Sequence, residues 1–263
     1  MEDRKSLLWA CSLLLCAGCL TNSSQKTPNA PPSPPPTPTA QQPTVPEHLV
    51  KKDKDPKAAA RLLVATAKFS EREAKSLDKD VEQQFKVRYQ AKDRYQLALK
   101  LDPGCIDAYR GLGRIYVDLG DFERAEETFR RAYVKFPKES IFWYEMAQMH
   151  NRRKDFSQAA VHLQKALDME PENRIYLTTL GLTMARSGQT EQAVALLSRS
   201  MGSASAYYNV ARMLLHLQRN DEGMHYLRLA LQTNPNLETA RELLTEIQGG
   251  NTGNFRIDFQ AGE

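Results

Sequence analysis

The spacing of apolar positions along the chain is clearest from Ile106 to Pro137, IDAYRGLGRIYVDLGDFERAEETFRRAYVKFP. Tyr109, Leu112, Gly113 and Tyr116 fall at i, i+3, i+4 and i+7, which is one face of a helix. Gly120-Asp121 interrupts the pattern, a second apolar face follows in Ala125, Phe129 and Ala132, and Pro137 ends it. Two short amphipathic helices with small residues in the seam predict a close antiparallel pair. A single pair of this size cannot bury its own apolar faces, so its stability requires neighbours of the same kind.

Those neighbours are present. A step of 34 residues carries Tyr109 to Trp143 and Leu177, Leu112 to Met146 and Leu180, Gly113 to Ala147 and Gly181, and Tyr116 to His150 and Met184. In the second helix the same step links Ala91, Ala125, Ala159 and Ala193, and also Tyr95, Phe129, Leu163 and Leu197. Pro103, Pro137 and Pro171 share the register. After Ala193 the step shortens once to 30, and the pattern resumes with Tyr207, Val210, Ala211, Leu214, Gly223, Leu227, Ala230 and Pro235. The shortening removes about one helical turn and joins two helices tightly through Met201-Gly202-Ser203-Ala204.

These residues resemble the tetratricopeptide repeat, whose pattern is W-x2-L-G-x2-Y, A-x3-F and a closing proline. The resemblance runs from Arg72 to Gly250 and implies an all-α fold: a right-handed α-solenoid of antiparallel helix pairs. Upstream, the alanine-rich stretch Lys57 to Ala74 puts Leu62, Ala65, Thr66 and Phe69 on one side. That side is expected to pack on a helix from Val81 to Lys100. This pair is expected to be longer than its successors and to cap the stack with a polar outer face. Leu237, Ala240, Leu243, Leu244 and Ile247 predict a closing helix, stopped by Gly249-Gly250.

Before the helical body the composition changes. Ten of the 14 prolines lie between Pro28 and Pro56, and the other four mark repeat boundaries. Dense proline and little apolar surface predict an extended, unfolded tether, about 100 Å long as pure polyproline II. A proline-rich ligand for an aromatic groove is the alternative. Arg4 and Lys5 precede an apolar run from Leu7 to Ala17 that closes on Ala17-Gly18-Cys19. The run has signal-peptide length, and its end resembles the lipobox of bacterial lipoproteins, which implies lipidation at Cys19. A plain secretory signal or an uncleaved anchor would share the first feature. The expected organisation is therefore 1–18 signal peptide, 19–56 lipidated cysteine and linker, and 57–105 capping helices with a degenerate first repeat. Residues 106–248 form the repeat array with its capping helix, and 249–263 a flexible tail in which Phe255, Ile257 and Phe259 alternate. With Cys11 and Cys16 in the signal and Cys19 lipidated, Cys105 is left alone and reads as a small, partly buried apolar residue.

A formal charge of +4, mixed in sign, gives no support for nucleic-acid binding. No metal-ligand spacing, nucleophile elbow or phosphate-binding glycine loop is present, so no catalytic residue, metal or cofactor is expected. His150 shares its slot with Tyr116 and Met184 and reads as packing; His216 and His225 bracket a turn. In the repeat family the first helix of each pair lines a concave surface. Carried onto this sequence, that gives a groove of Arg110, Arg114, Tyr144, Gln148, Arg152, Arg186, Tyr208 and Arg212. Asp118, Asn151, Thr178, Leu182 and His216 lie beside them. Arginine and tyrosine carry much of the binding energy at interfaces, and the arginines form an expected basic stripe. The alternative is an ordinary solvated helix face.

The reading is a non-enzymatic, periplasm-facing envelope lipoprotein, more consistent with the outer membrane than the inner. It grips a protein or peptide partner and resembles the repeat lipoproteins of Tad/Flp pilus assembly. A cell-wall hydrolase or enzyme subunit with an unrecognised site, and a self-associating spacer, are the alternatives.

Overall fold

The computed structural model describes residues 55–77 and 80–248. The signal segment, Cys19, most of the linker and the tail lie outside the described residues. The described residues form eleven α-helices. They are α1 (Pro56–Ser76), α2 (Val81–Leu101), α3 (Ile106–Asp118), α4 (Phe122–Lys135), α5 (Ile141–Arg152) and α6 (Phe156–Met169). The chain continues through α7 (Arg174–Arg186), α8 (Thr190–Met201), α9 (Ser203–His216), α10 (Asn220–Thr233) and α11 (Glu238–Gln248). They form a right-handed α-solenoid in which α3, α5, α7 and α9 lead a pair and α4, α6, α8 and α10 follow.

The register fixes the core. Ala91, Ala125, Ala159 and Ala193 are fully buried, as are Phe129, Leu163, Leu197 and Leu227. Small residues let the paired helices approach closely: a Cβ on Gly113 would lie 2.2 Å from the Phe129 ring. Each leading helix ends at one register position in the left-handed region, at Gly120, Lys154, Gly188 and Gln218. The next amide then reaches back to the last turn, as in Asp121 N to Tyr116 O at 2.9 Å and Asp155 N to His150 O at 2.9 Å. Asp121 and Asp155 also cap the helices they open, accepting from Arg124 N and Gln158 N. One residue, Gly202, with φ 85°, makes the whole joint between α8 and α9.

The first pair departs from the repeat. α1 and α2 have 21 residues each, against 12 to 14 in the array. The expected packing face of α1 is corrected. Leu62 and Phe69 are 55% and 62% exposed, while Ala60, Leu63, Val64, Ala67 and Ala74 are buried. The two faces are about 100° apart, and apolar content alone favours neither. The buried one runs unbroken to Ala74 and is narrow enough for close docking, whereas the Leu62 face runs out at the charged Arg72 and Glu73. The outer face of this end is therefore partly apolar. At the other end α11 buries Ala240 and Leu243, with Leu237, Leu244 and Ile247 packed against that cluster, as expected. Cys105 is half-buried at the start of α3, and burial pushes its thiol pKa up.

Candidate protein-binding groove

A helix turns 100° per residue, so the positions between the core residues of the leading helices fall on one outward face. Because the repeats stay in step, that face carries three rows. The first holds Arg110, Tyr144, Thr178 and Tyr208; the second Arg114, Gln148, Leu182 and Arg212; the third Asp118, Arg152, Arg186 and His216. The first two rows are half-buried, while Asp118, Arg152 and His216 are exposed.

Contacts across the rows tie successive helices together. Arg110 Nε donates to Glu145 Oε1 at 3.0 Å, and Arg114 Nη1 lies 3.8 Å from the same oxygen. The Glu145 side chain is only 4% exposed, so two guanidinium groups offset one buried carboxylate. Burial alone would lower the Arg114 pKa, but the carboxylates of Glu145 and Glu71 outweigh it and hold the value above the ordinary one. Arg152 Nη2 donates to Asp118 Oδ1 at 2.7 Å along the third row, and Asn151 donates to Thr183 at 3.0 Å. Gln148 Nε2 donates to the Tyr144 hydroxyl at 2.7 Å, and the Tyr144 ring stacks on Tyr176 with centroids 5.3 Å apart.

The five arginines are therefore not one uniform basic stripe. Arg110, Arg114 and Arg152 sit beside carboxylates of their own chain, which cancels much of their field. Further along, Arg212 lies over the Tyr208 ring at 5.6 Å. Burial lowers the Arg186 pKa. The carboxylate-paired arginines of this face lie on α3 and α5, and Leu182, Tyr208 and Arg212 follow on α7 and α9.

Two features were missed in the sequence. Glu145 sits among core residues and lies 35 positions after Arg110, a cross-repeat spacing that would have revealed it. His150 does pack, as expected, but its partner is His162, with ring centroids 5.1 Å apart; His162 stacks in turn on Trp143 at 5.5 Å. His162 occupies the register slot of Thr128 and Leu196, so a polar residue there was the signal. His216 and His225 are both exposed, and His225 lies edge-on to Tyr226. Among the described residues no group of three or more His, Cys, Asp or Glu is placed to hold a metal ion, and no helix is long and apolar enough to cross a membrane.

Two family models match the chain: the cilia and flagella-associated protein 70 middle TPR-like domain over residues 109–211, and the tetratricopeptide repeat over residues 204–237. Anaphase-promoting complex subunit 3 of Schizosaccharomyces pombe is 23% identical over 154 residues, covering 57% of this chain and 23% of that protein. The chain thus spans under a quarter of that relative. A solved structure from the functional characterization of Pseudomonas aeruginosa pilF matches with a TM-score of 0.51 at 16% identity, covering 76% of this chain and 96% of the other. The APC/C hetero-tetramer Cut9-Hcn1 gives 0.51 at 13% identity, covering 77% and 39%. Both structures share the fold. The 34-residue register and the family models agree across residues 109–237, where the chain is similar to tetratricopeptide-repeat domains and has the fold of their superhelix.

Proposed function

We propose that the array is a non-enzymatic scaffold that holds a protein or peptide partner along the outward face of its leading helices. The observation that carries this is the pairing of half-exposed anchors with rigid support. Tyr144, Tyr208 and Arg212 stand in register, while the Arg110–Glu145 and Arg152–Asp118 contacts tie neighbouring repeats together. A groove already in shape loses little entropy on binding. The curated relative, by its name, is a subunit of a multiprotein complex, which fits a scaffold role.

The second part of the proposal concerns place. The signal-like segment ending at Cys19 and the proline-rich stretch after it support a lipid-anchored array held off a membrane surface in a cell envelope. Assistance to the assembly of a pilus or other envelope complex is the narrower form of this reading, supported by that layout.

The test is crosslinking in native membranes with three full-length chains: wild type, Cys19→Ser, and the double variant Tyr208→Ala/Arg212→Glu. The wild type should recover one dominant partner, the double variant should lose it with its helical circular dichroism intact, and Cys19→Ser should leave the membrane fraction. Unchanged capture by the double variant contradicts the groove; unchanged fractionation of Cys19→Ser contradicts the anchor.

A further inference from the structure

The face of α1 that stays exposed is ordered in two rows. Ala58, Leu62, Ala65 and Phe69 follow at i, i+4, i+7 and i+11, all of them exposed, and fall within about 60° of one another around the helix. Lys57, Arg61, Lys68, Arg72 and Lys75 fall within about 60° along one edge of that stripe.

The charges on this face are unbalanced. Of the two carboxylates on α1, Glu71 accepts from the Tyr95 hydroxyl and Glu73 stands on the other edge of the stripe. Asp55 caps the helix, accepting from Lys57 N at 2.9 Å. From α3, Asp107 meets Lys68 at 3.1 Å. Lys57, Arg61, Arg72 and Lys75 are exposed and have no carboxylate partner among the described residues. Arg110, Arg114 and Arg152, by contrast, are matched from one repeat away.

Single exposed apolar residues are ordinary on a protein surface. A helical stripe of them edged by a row of unmatched cations is the pattern of a helix that lies in a membrane interface. There the apolar side chains enter below the headgroups, while lysine and arginine reach back to anionic ones. We infer that this face of α1 docks on a membrane surface that carries anionic lipids. The choice of lipid over an acidic protein rests on the anchored reading above, because α1 is the first of the described helices along the chain from Cys19. The linker sets how far the body can stand from the surface, and α1 sets how its N-terminal end meets it. This face is separate from the groove, which α3, α5, α7 and α9 carry.

The full-length chain, reconstituted with vesicles of phosphatidylcholine alone or of an equal mixture with phosphatidylglycerol, tests this. Dansylalanine replaces Phe69 in one chain and Val134, 73% exposed on α4, in another. Emission from position 69 should shift to the blue on the mixed vesicles and not on phosphatidylcholine, and position 134 should shift on neither. Arg61→Gln/Arg72→Gln should lower the ratio of docked to undocked chain about tenfold with its circular dichroism unchanged. No shift at 69 on the mixed vesicles, equal shifts on both vesicles, equal shifts at 69 and 134, or an unchanged response in the double variant would overturn the site. A shift that needs native membranes and is absent from protein-free vesicles would give the face to an acidic protein instead. One that grows with protein concentration in the absence of lipid would give it to a second copy. The two membrane readings fail differently: a chain that floats with both vesicles without a shift at 69 keeps the anchor and loses this site. One that floats only with the mixed vesicles, shift present, keeps this site and contradicts the anchor.

Discussion

At the scale of single residues, one backbone position recurs with different costs. Gly120 and Gly188 take the left-handed conformation without a Cβ penalty, while Lys154 and Gln218 take it with one, at φ 60° and 61°. Lys154→Gly is therefore expected to stabilise the fold by roughly 0.5 kcal/mol and Gly120→Ala to destabilise it by about 1 kcal/mol, both measurable by urea unfolding. Equal effects of either sign would remove the argument. His162 supplies the pH dependence. Burial first, then His150 and Lys165, pushes its pKa from 6.5 down to about 4, with only Asp155 opposing. The unfolded chain takes up the proton first, so its contribution is complete above pH 6.5 and is lost as the pH falls towards 4. The loss should be about 1–2 kcal/mol once the ring's partial exposure is allowed for. His162→Leu should flatten this part of the stability–pH curve, and an unchanged slope would assign it elsewhere.

At the scale of the element, the helices and their order were readable because the 34-residue step repeats apolar and small residues together. The face of α1 was not, because it lies outside that step and carries two apolar rows side by side. The structure predicts a sharp difference between adjacent residues. Leu63→Ala should cost about 2–4 kcal/mol by emptying a packed site, and Leu62→Ala less than about 0.5 kcal/mol. Thermal unfolding of the two variants decides it; similar losses would restore the other face. The groove was legible in part for a related reason. Sequence register put Arg110, Arg114 and Arg152 between the core positions of the leading helices, and the one-repeat spacing to Glu145 and Asp118 was there too, but Glu145 reads as one of the core positions around it until the fold brings it to the arginines.

At the scale of the whole helical body, each repeat touches mainly its neighbours, so ties between repeats set how far the groove flexes. The polar contacts on the leading-helix side couple α3 to α5 and α5 to α7. These ties lie near the N-terminal end of the array, and Tyr208 and Arg212, the proposed contact residues, lie towards its C-terminal end. The central claim is that this surface meets a protein. Its most direct measurement is site-specific photocrosslinking in cells, with p-benzoylphenylalanine placed at Tyr208 in one full-length chain and at Arg228, exposed on the trailing helix of the same pair, in another. A discrete adduct from position 208 and none from position 228 is the predicted result; the same adducts from both, or none from 208 in a folded and expressed chain, would contradict it.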